Sequence, residues 1–120
     1  MSEELSDSEL VEAFAKEARQ RCDVISAGLD TGTTDFEALR QEAHALHGTA
    51  SALGLRRLGE LAGLMESDLS EAAEAGELRA NRAAQISEAA EALAAGVRAS
   101  ADGDEEPPDV GRSLAQLFAI

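Results

Sequence analysis

Apolar side chains recur at intervals of three and four along most of the chain, the spacing of one face of an α-helix. The first stripe is Val11, Phe14, Ala18, Cys22, Ile25 and Leu29. Ser6-Asp7-Ser8-Glu9 ahead of it has the spacing of a capping box, so a helix is predicted from about Ser6, ended by Gly28 and the Asp30-Thr31-Gly32-Thr33 run. A second box, Thr34-Asp35-Phe36-Glu37, opens a helix whose stripe is Phe36, Leu39, Ala43, Leu46, Ala50 and Leu53. Gly54 stands where a left-handed C-terminal cap belongs, with Leu55 directly beyond it, so the turn into the next helix is short. The third stripe, Leu58, Ala62, Met65, Leu69 and Ala72, fades at Ala75-Gly76. The fourth, Ala83, Ile86, Ala90, Leu93 and Val97, ends near Ser100. Four stripes joined by short loops predict an all-α, antiparallel up-down-up-down four-helix bundle over residues 1–101.

The pattern changes after Ala101. Residues 102–112 are acidic, non-periodic and contain Pro107 and Pro108, which reads as a linker. Residues 113–120 have the makings of a short amphipathic tail, with room for a short extra helix. Docking on the bundle, binding a partner and lying at a cut in a larger protein are all open for it, and the acidic linker favours a piece of a larger chain.

Composition supports the helical reading. The chain has 25 alanines and 15 leucines against 11 valines, isoleucines and threonines together, and no tryptophan or tyrosine. Helices favour the first group and sheets the second. A net charge of -14 repels phosphate backbones and anionic lipid, which argues against nucleic acid and membrane surfaces as partners. One cysteine, Cys22, cannot close an intramolecular disulfide, and no stretch has the signature of a signal peptide or a membrane span. A cytoplasmic location is expected.

Glycine-rich phosphate loops, GxGxxG, CxxC, HExxH and GxSxG are all absent, so the chain is not expected to bind ATP alone. Both histidines fall in one dense stretch, residues 42–54. On a helical wheel His44 lies about 140° from the core axis, on the solvent side, while His47 sits at the border of the stripe. Arg40, Gly48 and Ser51 share the outer face with His44. A mid-helix glycine costs about 1 kcal/mol relative to alanine, so Gly48 invites an explanation, as do Gly59 and Gly63 beside Glu66. Three glycines on neighbouring helices would leave a smooth surface around an exposed imidazole. Residues 38–59 also hold Arg40, Arg56 and Arg57 against one acid, Glu42, a small basic island suited to a phosphoryl group or an acidic partner surface.

The run His44-Ala45-Leu46-His47-Gly48, with Gly54 six residues on, resembles the histidine-phosphotransfer (HPt) signature, H-x-x-K-G followed by a spaced glycine. Leu64-Met65-Glu66 on the next helix resembles the amino-terminal HPt domain of CheA-type chemotaxis histidine kinases. The resemblance covers the four helices. It implies that His44 is the phospho-acceptor, that Glu66 hydrogen-bonds its imidazole, and that the partners are a histidine-kinase catalytic domain and response-regulator receivers. No autonomous kinase activity, cofactor or metal is expected. The family usually has lysine where this chain has His47, and Arg40 is the nearest alternative cation. A free-standing phosphorelay protein, an interaction-only bundle and a metal-binding bundle using His44 and His47 stay open as alternatives.

Overall fold

The computed structural model describes residues 6–79 and 81–119, all of whose regular structure is helical. Residues 1–5, Ala80 and Ile120, the last of them part of the expected tail, lie outside the described residues. Five helices follow in order: α1 Asp7–Asp30, α2 Phe36–Ala52, α3 Arg56–Ala75, α4 Arg82–Asp102 and α5 Pro108–Phe118. The first four pack in a ring, α1 most closely against α4 and α2 most closely against α3, which makes the expected four-helix bundle.

Local chemistry explains most of the boundaries. Ser6 caps α1 through the anticipated box: its Oγ accepts from the Glu9 N–H and the Glu9 carboxylate accepts from the Ser6 N–H. The α1 helix does not stop at Gly28. It runs on to Asp30, because Gly28 serves packing: a methyl group there would lie 2.9 Å from Leu39 of α2. The α2 helix is capped by Asp35, whose carboxylate accepts from the Ala38 N–H at 3.2 Å, and not through a Thr34 box. An ionised cap one residue nearer the helix also satisfies the positive end of its dipole. Gly54 does end α2 as expected. At φ +75° it closes a Schellman turn, with the Leu55 N–H on Ala50 and the Gly54 N–H on Ser51.

Every apolar residue of the α3 stripe is buried, and Ala43, Leu46, Met65, Leu69, Ile86 and Leu93 are sealed from solvent. Of the outer stripe positions, Val11, Leu29, Leu53 and Ala83 are only half-buried, and Arg82 is buried in place of Ala83. Arg82 donates to the carbonyls of Gln116 and Ala119 and so ties down the end of α5. Cys22 is a buried free thiol, which burial pushes up to about 12.

The C-terminal segment departs from the sequence expectation. The stretch read as linker over 102–112 is partly helix: α4 continues to Asp102 and α5 starts at Pro108, leaving only five residues between them. Proline lacks an N–H that the first helical turn does not use, so the second proline opens a helix here instead of preventing one. Val110, Ser113 and Leu117 are buried against α3 and α4, and the segment expected as a tail docks on the bundle.

Candidate functional site

Helices α2 and α3 place four polar side chains together on one outer face. His44 projects from the middle of α2, with two thirds of its side chain exposed (67 %). Its Nδ1 lies 2.8 Å from Oε2 of Glu66, which reaches across from α3. Nδ1 of His47, one turn on, lies 3.1 Å from the other oxygen, Oε1. Arg40, one turn before His44, donates Nη1 to Glu66 Oε2 at 3.3 Å and grips Glu37 through Nε and Nη2, both at 2.8 Å.

Glu66 is the centre of this arrangement. Burial pushes its carboxyl up, but hydrogen bonds from His47 and His44 and their positive potential outweigh that, and it is held below the usual carboxylate range. An ionised carboxylate only accepts hydrogen bonds. Nδ1 of His44 therefore donates to it, and in the neutral form of the ring this leaves the lone pair on Nε2, the nitrogen away from Glu66. The neutral ring so held keeps a free lone pair on the nitrogen away from the carboxylate.

The depressed carboxyl has a pH signature. A group whose pKa falls on folding adds stability above its unfolded value, and that stability disappears as the pH drops through the folded value. Urea unfolding from neutral to acid pH should show this loss in the wild type. Glu66→Gln, which cannot ionise, should remove that part of the acid-side slope, and an unchanged slope would show that Glu66 is not ionised in these bonds.

The other residues singled out by sequence divide. Gly48 is exposed and a methyl group there would meet nothing within 4 Å, so it leaves the surface beside His44 bare. Ser51 is exposed at the end of the same helix. Gly59 is buried: a methyl group there would stand 2.9 Å from Ser51 Oγ, so it sits in the α2–α3 contact and not on an open surface. Gly63 lies beneath the His47 ring. The basic island is weaker than its spacing suggests. Arg40 is matched by Glu37 and Glu66, Arg57 pairs with Glu106 at 3.0 Å, and Arg56 is exposed at the first turn of α3. Glu37 directly precedes the 38–59 stretch, and Glu106 is brought in by the chain beyond α4. The bond between Glu66 and His47 had no sequence signal beyond the apolar registers of the two helices. Among the described residues, no three His, Cys, Asp or Glu side chains are placed to hold a metal ion.

These features describe a helical bundle that presents a histidine nitrogen to solvent and fixes the ring from behind with a carboxylate. The Hpt domain family matches residues 9–106, most of the chain, and the protein belongs to that family. Its class of activity is histidine phosphotransfer in a phosphorelay. Neither a curated protein nor a solved structure matches the chain. No described helix is long and apolar enough to cross a membrane.

Proposed function

We propose that His44 accepts a phosphoryl group on Nε2 from a donor held by a histidine-kinase catalytic domain and passes it to an aspartate of a response-regulator receiver. The observation that carries this reading is the Glu66 hydrogen bond to Nδ1, behind an imidazole whose other nitrogen is open. In the first step the Nε2 lone pair attacks phosphorus, the N–P bond forms, and the donor's bridging oxygen leaves with its electron pair. The ring then carries a positive charge, which Glu66 offsets while keeping the Nδ1 proton. In the second step an aspartate oxygen of the receiver attacks phosphorus and the N–P electrons return to Nε2. Metal and acid groups for that step come from the receiver. The chain's own contribution is one oriented, accessible nitrogen.

The resemblance of the His44 and Glu66 segments to chemotaxis kinases supports a finer reading. In it the chain is the amino-terminal module of such a kinase and acts in the cytoplasm with its kinase domain and receivers. Phosphorylation with kinase domain and ATP, followed by 31P and 15N spectra of the product, tests the proposal. One acid-labile, alkali-stable phosphoryl group coupled to Nε2 of His44 is expected, and phosphate coupled to Nδ1 would overturn the assignment.

Gly48 supplies a check on the docking face. Gly48→Ala gains helix propensity and meets no neighbour, so it should stabilise the fold by about 0.5–1 kcal/mol in urea titrations. If the receiver docks around His44, the same methyl group should slow transfer to it. Unimpaired transfer would place the docking face elsewhere.

A further inference from the structure

Glu66 serves two histidines, and only one of them is needed to take a phosphoryl group. Its Oε2 accepts from His44 and Arg40, and its Oε1 accepts from His47. The terminal torsion of a glutamate is broad and is not fixed by its own rotamer preference. Donors on Oε2 alone would leave the carboxylate plane free to swing. A donor on Oε1 as well fixes that plane, and with it the direction in which Oε2 meets the His44 ring. His47 is held in turn from α3. A methyl group at Gly63 would stand 3.3 Å from His47 Nε2 and 3.4 Å from Cε1, tighter than ordinary contact, so the ring fits because Gly63 has no side chain. The same contact rests one face of the His47 ring on α3, and its side chain is less exposed than that of His44, 45 % against 67 %.

We infer that His47 is a positioning residue for phosphoryl transfer at His44, acting through Glu66, and that Gly63 is the recess that admits its ring. The inference rests on the function proposed for His44. It gives His47 a definite task where a cation is usual: it donates Nδ1–H to Glu66 and so holds His44 in the tautomer with its lone pair on Nε2. Arg40 supports the same carboxylate from the other oxygen.

The test uses the whole chain, 15N spectra of the imidazoles above their titration range, and phosphoramidate as a small donor that needs no kinase. With that donor, Nε2 attacks phosphorus and the P–N bond of phosphoramidate breaks to release ammonia. His47→Leu removes the donor to Oε1. It should move the His44 ring toward a mixture of tautomers and slow phosphoryl uptake about tenfold, the rate equivalent of one lost charge-assisted hydrogen bond. His47→Asn sets an amide N–H where Nδ1 was and should restore both readouts. Gly63→Ala favours the helix but crowds the ring, and should shift the His44 tautomer in the same direction as His47→Leu. A merely structural role for His47 would change stability and leave the His44 tautomer alone. If the His44 ring and the uptake rate are unchanged in His47→Leu, the inference is overturned. Should the wild type take no phosphoryl group, the function proposed for His44 fails by itself, and the tautomer still decides whether His47 positions the ring.

Discussion

His44→Gln is expected to reduce phosphorylation by a kinase domain to background while leaving the fold intact. Glutamine sets an amide nitrogen close to where Nε2 was, but that nitrogen's electrons are delocalised into the carbonyl and it is not a nucleophile. Residue 44 is largely exposed, so the substitution opens no cavity; exposed substitutions of this kind usually change stability by within about 0.5 kcal/mol. The lost hydrogen bond to Glu66 is partly replaced, since Arg40 and His47 still donate to that carboxylate. His47→Gln is the matched control. It should still reach full end-point phosphorylation, because the proposed acceptor is His44, the more exposed of the two rings, which the substitution leaves in place. Phosphate that survives in His44→Gln would refute the site, and phosphate lost equally in both variants would mean that the two histidines act as one unit.

The sequence carried the fold wherever a residue's environment follows from its own helix. The stripes through Ala43, Leu46, Met65 and Leu69 become core because a helix has one period and one buried face. The caps at Ser6 and Gly54 form because their partners lie within five residues. Legibility ended where the deciding neighbour sits on another helix. Gly28 resembles a helix stop, yet it makes room for Leu39. The spacing of Val110, Leu114 and Leu117 held a helical signal, but acids and two prolines around Val110 obscured it, and only the α3–α4 groove explains its burial. The site divides the same way. The exposure of His44 and the lone fate of Gly48 follow from the wheel of α2. The contacts of Glu66 with both rings depend on how α3 is set against α2, which neither helix states alone.

Gly96 gives the strongest stability test of that long-range packing. Alanine is the better helix former by about 1 kcal/mol, so in an isolated helix Gly96→Ala would be favourable, as expected at Gly48. In α4, however, the added methyl group would stand 2.6 Å from Cδ2 of Leu58 and 3.2 Å from Cγ2 of Val110. Leu58 is 5 % exposed but lines a cleft together with Gly96 into which its Cδ2 can turn, whereas Val110 is fully buried. Overpacking of this kind costs about 1–3 kcal/mol, occasionally more. Leu58 can relieve part of the 2.6 Å approach and Val110 less of its own, so after the helical gain a net loss of up to about 2 kcal/mol is left. The element that can yield is α5, the shortest helix, joined to α4 by five residues. Gly96→Ala should therefore lower the urea midpoint and speed amide exchange in α5 more than in α1 or α2. A variant more stable than the wild type would mean that Val110 does not pack on Gly96. The opposite signs expected at Gly48 and Gly96, for one and the same substitution, come solely from what stands opposite each α-carbon.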